Sequence, residues 1–119
     1  MATKKGITKS GKNTEALVVT ESKAIMTIGT AAQKFQVTEV IATNSHASET
    51  VAVRIYDEAA ALTPDATKQA IPDIIVPPTE TVRLGFTDGP IFSTAVSASK
   101  VADTGTVSAY NCMVNGVLF

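Results

Sequence analysis

The chain reads Thr50-Val-Ala-Val-Arg-Ile-Tyr56 at the point where its pattern is most regular. The β-branched residues Val51, Val53 and Ile55 fall on one side of an extended segment, and the residues between them, which include Arg54, fall on the other. A period of two residues is typical of a strand with one face against a core and one face in water. This stretch therefore predicts a sheet that is buried on one side.

The whole composition points the same way. Val and Ile together number 22 against 4 Leu, and Thr adds 17 more residues. β-branched residues pack well on a pleated surface and lose rotamer freedom in helices. With about eight strands at intervals of roughly ten residues and no helical crossovers, the chain predicts an all-β fold, an antiparallel β-sandwich or jelly roll.

Further strands are predicted on both sides of the opening stretch. The segment Phe35–Thr43 changes the phase of its alternation midway, which indicates a β-bulge. Residues 57–69 read as a long connection between sheets, and Asn115-Gly116 reads as a turn. The other predicted strands are Ala16–Thr20, Ala24–Ile28, Thr81–Phe86, Ile91–Ala98 and Thr106–Val114.

Four charged residues lie close together in the sequence between Ile71 and Phe92, namely Asp73, Glu80, Arg83 and Asp88. The prolines and glycines around them mark strand edges and turns. The three acids therefore fall at strand ends and turns, and Arg83 falls on an outer strand face. We interpret them as solvent-facing residues and not as an acid/base site.

The charge is unevenly distributed, although the net charge is only −1. Residues 1–12 carry four lysines and no acid, while the remainder carries six basic residues against eleven acidic ones. Residues 1–14 are polar and without periodicity, so we predict a flexible, extended basic N-terminal arm and a single β-sandwich domain over residues 15–119. The arm is either a solvated tail or a segment that orders against a neighbouring subunit. The lysines of this arm are Lys4, Lys5, Lys9 and Lys12.

The chain ends on Val117, Leu118 and Phe119. Three apolar residues are costly to leave in water, since a Phe side chain alone buries on the order of 150 Å² or more. They are expected either to close the sheet of their own domain or to dock on a partner chain.

Candidate catalytic groups are few. His46 is the single histidine. Ser45 is adjacent to it, but neighbouring residues in an extended loop point apart, and no second histidine or cysteine lies nearby to complete a metal site. Cys112 alternates with Val114 on one face of the last strand, which predicts a buried, inert thiol. We therefore predict no catalytic residue, no metal and no cofactor, and a non-enzymatic protein. No stretch approaches the ~20 apolar residues of a membrane span, no apolar run follows the first lysines as in a secretory signal, and assembly in a reducing cytoplasm is expected.

One region resembles a known group of proteins. It holds Val76-Pro-Pro-Thr-Glu-Thr-Val-Arg-Leu-Gly-Phe86, Asp88-Gly-Pro-Ile-Phe-Ser-Thr-Ala-Val-Ser-Ala98 and Gly105-Thr-Val-Ser-Ala-Tyr110. This order of strands and turns, over about residues 37–112, resembles small jelly-roll-like β-sandwich proteins of tailed bacteriophage virions, of the capsid decoration or cement type. The resemblance implies a homotrimer on the capsid surface that binds between major capsid protein subunits and is assembled in the host cytoplasm, with neither nucleic acid nor membrane as partner.

The lysines Lys4, Lys5, Lys9 and Lys12 and the terminal Val117, Leu118 and Phe119 are then the residues expected to contact partners. The alternative is a ligand- or carbohydrate-binding β-sandwich module of a phage head fibre, neck or tail. Such modules stack sugars on exposed aromatic rings, for which only Tyr56 and Tyr110 are plausible here.

Overall fold

The computed structural model describes residues 6–19, 21–28, 32–101 and 110–119, and of Tyr110 only the backbone. A single-turn 3₁₀ helix spans Ala66–Lys68. Within the described part of the chain, no helix combines the length and the apolar character that crossing a membrane requires. The strands are β1 Ile7–Lys12, β2 Lys23–Thr27, β3 Phe35–Asn44, β4 Val51–Tyr56, β5 Gln69–Val76, β6 Thr81–Gly85, β7 Ile91–Phe92, β8 Ala95–Val101 and β9 Tyr110–Leu118.

Two antiparallel sheets pack against each other. The first has the order β1-β9-β3-β6, with the short β7 also paired to β3, and the second has the order β2-β8-β4-β5. Strands pair as if one long hairpin had been rolled up, since β1 pairs β9, β2 pairs β8, β3 pairs β6 and β4 pairs β5. Apart from β7, this is the eight-stranded jelly-roll arrangement. The predicted all-β sandwich of jelly-roll type is confirmed.

The inner faces of the two sheets form the core. Val51, Val53 and Ile55 of β4 are fully buried, as their alternation predicts, and they belong to the same apolar cluster as Phe35 and Phe92. Burial of apolar surface contributes about 25 cal/mol per Å² and is the main term that holds two such sheets together.

The phase change in β3 is a β-bulge. The pairing of β3 with β9 shifts register between Val37 and Glu39, which leaves Thr38 as the extra residue. The carbonyl of Thr38 accepts a hydrogen bond from the backbone N–H of Phe86 at 2.9 Å. The bulge predicted from sequence is therefore confirmed, and it returns both halves of β3 to the same inward-facing side.

The predicted strand Ile91–Ala98 is divided into β7 and β8. Ser93 and Thr94 interrupt it, and the chain crosses there from the first sheet to the second. The carboxylate of Asp57 accepts hydrogen bonds from the backbone N–H groups of Thr94 at 2.9 Å and Ser93 at 3.2 Å. The sequence pattern does not reveal this break, because Phe92 before it and Val96 after it belong to the same core and keep the even spacing of one strand.

Two local predictions are wrong. Residues 16–18 form no strand. Leu17 is buried in the core, and the carbonyl of Val18 accepts a single hydrogen bond, from the backbone N–H of Lys100 at 3.1 Å. Asn115-Gly116 forms no turn but continues β9, because this strand pairs on both sides, with β1 and with β3. Of the predicted strand Thr106–Val114, residues 106–109 lie outside the described residues.

The N-terminal prediction is revised in part. Ile7–Lys12 is an edge strand of the first sheet and pairs with β9 over its whole length. It is thus an integral strand of the sandwich and not a flexible arm. Its sequence lacks apolar alternation because its inward-facing positions, Ile7, Lys9 and Gly11, are exposed or only half-buried at the edge of the sandwich. Residues 1–5 of the predicted arm lie outside the described residues.

Candidate functional site: the outer face of the β1-β9-β3-β6 sheet

The two segments predicted to contact partners pair with each other. Ile7 lies opposite Leu118, and Lys9 lies opposite Gly116 in the β1–β9 ladder. The basic segment therefore forms the edge strand of the first sheet, and the apolar C-terminus lies in the strand next to it. Of the two expectations for the C-terminus, the structure places it in the sheet of its own domain.

The seven predicted contact residues do not share one surface. Lys12 and Val117 point to the outer face of the sheet, whereas Leu118 packs in the core and is only 9% exposed. The ammonium of Lys9 reaches the backbone carbonyl of Thr27 at 3.5 Å. Phe119 continues the ladder through its backbone, which exchanges two hydrogen bonds with Lys34, at 2.8 and 2.9 Å. Lys4 and Lys5 are outside the described residues.

A row of four residues crosses the outer face at right angles to the strands. Lys12 on β1 lies opposite Met113 on β9, Met113 lies opposite Ile41 on β3, and Ile41 lies opposite Arg83 on β6. Residues in direct register on antiparallel strands share a face. Two apolar side chains are therefore flanked by a cation at each end.

This row lines a surface groove of about 380 Å³, whose further walls come from Thr43, Asn111 and Cys112. Met113 and Ile41 are half-buried at its centre, and Lys12 is exposed at its rim. The sequence did not reveal this groove, because its four central residues come from four strands that are distant in the chain. Only the strand register places them together.

The electrostatics of this face differ from those of the acidic remainder of the chain. The outward-facing positions of its described strands hold the cations Lys12 and Arg83 against one carboxylate, that of Glu39. Arg83 donates to Glu39 Oε2 at 3.3 Å, and Asn115 donates to Glu39 Oε1 at 3.0 Å. Lys12 forms no ion pair with any described residue.

A second row runs parallel to the first. Val117 lies opposite Thr8 on one side and Gln36 on the other, and Gln36 lies opposite Ile91. Ile91 is 53% exposed. The polar row of Glu39 and Asn115 thus separates the row centred on Met113 and Ile41 from a row in which the apolar Val117 and Ile91 alternate with polar residues.

The surroundings of Cys112 and His46, the two reactive side chains singled out in the sequence, indicate structural roles. Cys112 is fully buried, and burial raises the pKa of its thiol to about 12, so the thiolate is not populated near neutral pH. This confirms the predicted buried cysteine. His46 Nδ1 accepts hydrogen bonds from the backbone N–H groups of Ser48 at 3.1 Å and Glu49 at 3.0 Å, and so organises its own loop.

The charged residues between Ile71 and Phe92 are not brought together. Asp73 lies within β5 and pairs with Arg54 at 3.1 Å, while Asp88 accepts from Gln36 at 3.3 Å. The hydrogen bond from Gln69 and the ion pair with Arg54 lower the pKa of Asp73 from its ordinary value of 3.8. The described ranges of the chain contain no group of three His, Cys, Asp or Glu residues arranged to hold a metal ion.

Tyr56 cannot serve as an exposed sugar platform, because only 4% of it is accessible and its hydroxyl is 3.1 Å from Ser99 Oγ in the interior. Alternation along β4 predicts that Tyr56 shares the face of Arg54, yet its side chain is buried at this position. The side chain of Tyr110 lies outside the described residues.

Comparison with known proteins adds no family assignment. No protein-family model matches the chain, and no curated protein matches it significantly.

Proposed function

We propose that this protein is a non-enzymatic structural component of a tailed-bacteriophage particle, a decoration protein that binds between major capsid protein subunits on the head. The observation that carries the proposal is the outer face of the β1-β9-β3-β6 sheet. It is a broad face in which two rows that contain apolar residues lie on either side of a polar row.

The fold supports this role. Jelly rolls occur in viral capsid and lectin domains, and a rigid two-sheet sandwich can present one face to several neighbouring subunits. Many weak contacts repeated over a lattice give strong attachment without any single tight site. The pairing of β1 with β9 makes both ends of the described chain part of that sheet, so a contact on its outer face is built on regular strands.

The resemblance to phage decoration proteins supplies the partner and the homotrimeric state. Trimerisation would bury apolar surface that the single chain leaves in water, and Ile7, Ile75 and Ile91 are each more than half exposed. Exposed apolar side chains that lie singly are common on monomers. Their number here supports the trimer only together with the resemblance.

The first experiment is sedimentation with heads of the phage whose genome encodes the chain. Purified protein is mixed with heads lacking it and centrifuged through a sucrose gradient. We expect saturable co-sedimentation and a rise in the temperature at which the heads rupture. Protein that remains at the top of the gradient at every concentration would overturn the proposal.

The solution mass tests the oligomer separately. Light scattering after size exclusion is expected to give a trimer at low and at high salt. A monomer that also recognises oligosaccharides on a glycan array, and does not bind heads, would replace the decoration role by the carbohydrate-binding alternative.

A further inference from the structure

We propose that the groove across β1, β9, β3 and β6 binds an extended acidic segment of a partner protein, with two carboxylates four residues apart and an apolar residue midway. This deepens the proposed function, on which it rests, because it states what a capsid subunit would present to the outer face. The argument starts from the row Lys12, Met113, Ile41 and Arg83.

The spacing of the two cations sets the length of the segment. Neighbouring strands lie about 4.8 Å apart, so the three intervals from β1 to β6 separate the backbones of Lys12 and Arg83 by about 14 Å. An extended chain rises about 3.3 Å per residue, and four residues therefore span about 13 Å. Side chains at the first and fifth positions point the same way, since the period of an extended chain is two.

The centre of the row determines the kind of residue that lies midway between the two carboxylates of the segment. The third side chain of such a segment also points towards the groove, where Met113 and Ile41 are half-buried. An aliphatic side chain there removes apolar surface from water on both partners. A methionine in the floor adapts to several aliphatic shapes, because its unbranched side chain has three rotatable bonds.

The two cations of the groove determine that the partner segment is negatively charged. Lys12 has no ionic partner among the described residues, and only one N–H of Arg83 is engaged by Glu39. A guanidinium carries five N–H donors, so Arg83 can hold a second carboxylate while Glu39 fixes its position. The Arg83 side chain is 67% exposed, which leaves these donors within reach of a ligand.

The test uses three short peptides as probes. One has the core Glu-Thr-Val-Thr-Glu, one has the same composition rearranged to Thr-Glu-Val-Thr-Glu, and one has Lys in place of both Glu. Binding is followed by the shifts of backbone amide signals of the ¹⁵N-labelled protein. We expect the first peptide to shift the signals of Lys12, Ile41, Arg83 and Met113, with a Kd about two- to fivefold lower than that of the rearranged peptide, and the Lys peptide to shift none of them.

Two variants and a control locate the site. Lys12→Ala and Arg83→Ala are each expected to raise the Kd of the first peptide about two- to fivefold and to weaken its dependence on salt. Lys68→Ala removes an exposed lysine of the 3₁₀ turn, outside the groove, and should leave the Kd unchanged. The proposal is overturned if the rearranged peptide binds equally well, if the shifts lie elsewhere, or if Lys68→Ala weakens binding as much as the groove variants.

The outcome is separable from that of the decoration role. Selective peptide binding without attachment to heads would retain the groove and remove the phage partner. Attachment to heads that Lys12→Ala and Arg83→Ala leave unchanged would retain the decoration role and overturn the groove as its contact.

Discussion

Asn13 extends the pairing of β1 and β9 beyond the last residue of β1 through its side chain. Its Oδ1 accepts a hydrogen bond from the backbone N–H of Cys112 at 2.9 Å, and its own N–H donates to the carbonyl of Cys112 at 3.4 Å. Its Nδ2 donates to the carbonyl of Glu15 at 2.8 Å, and the residue is only 5% exposed. A polar side chain thus ends the edge strand and satisfies a buried N–H that would otherwise be costly.

Replacement of Asn13 by Ala should lower the free energy of unfolding by about 1–3 kcal/mol, because the buried N–H of Cys112 then loses its acceptor. Urea unfolding measures the change. Asn111→Ala, at an exposed position of β9, serves as the control and should change stability by less than about 0.5 kcal/mol. Equal losses in both variants would contradict the role of Asn13.

Gly116 allows β9 to pass close to β3. A Cβ atom at this position would overlap the carbonyl oxygen of Gln36 and lie 2.6 Å from Cζ of Phe35, whereas a Cβ at Gly85 would meet nothing within 4 Å. Gly116→Ala should therefore destabilise the protein by about 1–3 kcal/mol or more, since both the backbone and the ring must shift.

Gly85→Ala is the matched control for Gly116→Ala, because it adds the same methyl group to a strand of the same sheet. It should leave the protein equally stable or make it more stable by up to about 1 kcal/mol, since alanine restricts the unfolded chain. Thermal unfolding of both variants decides the point. A Gly116→Ala protein as stable as the wild type would show that β9 does not approach β3 as described.

Asp57 holds the crossing between β7 and β8. Its carboxylate is the shared acceptor for the backbone N–H groups of Ser93, Thr94 and Ala95. Asp57→Ala should cost about 1–3 kcal/mol, because hydrogen bonds to a charged acceptor are lost together. Amide hydrogen exchange should rise at residues 93–95. Glu80→Ala, an exposed carboxylate with no hydrogen bond to a described residue, should change neither measurement.

The ion pair between Asp73 and Arg54, on the outer face of the second sheet, predicts that the free energy of unfolding depends on pH. The pKa of Asp73 is lowered, first by the hydrogen bond from Gln69 and then by Arg54. The ionised form is therefore favoured in the folded state, and its contribution is present above the ordinary value of 3.8 and is lost as the pH falls through the lowered pKa.

Asp73→Asn should thus be less stable than the wild type at about pH 7, by less than about 1 kcal/mol, because the pair is exposed to solvent. The difference should shrink as the pH falls below 3.8 and through the lowered pKa, because the wild-type carboxyl then takes up its proton. Urea unfolding over a series of pH values from neutral to acid provides the measurement. A difference that persists unchanged in acid would show that the carboxylate charge does not stabilise the fold.

Much of the fold could be predicted from local pattern. The alternation in β4 and the phase change at Thr38 are both properties of neighbouring residues, and the structure confirms both. The interruption at Ser93 and Thr94 could not be predicted in this way. It depends on the carboxylate of Asp57, which lies 36 residues away from Ser93 in the chain.

The sequence by itself determined the class of the fold, because a surplus of β-branched residues with period-two alternation can bury its apolar side only in packed sheets. Only the tertiary structure determined the conformation of the two terminal segments and which residues share a surface groove. Asn115-Gly116 has the local preference of a turn, yet hydrogen bonds from strands on both sides keep it extended. Likewise Lys12 and Arg83 become the two ends of one groove only through the register of four strands, and register is set by long-range pairing that no short stretch of sequence contains.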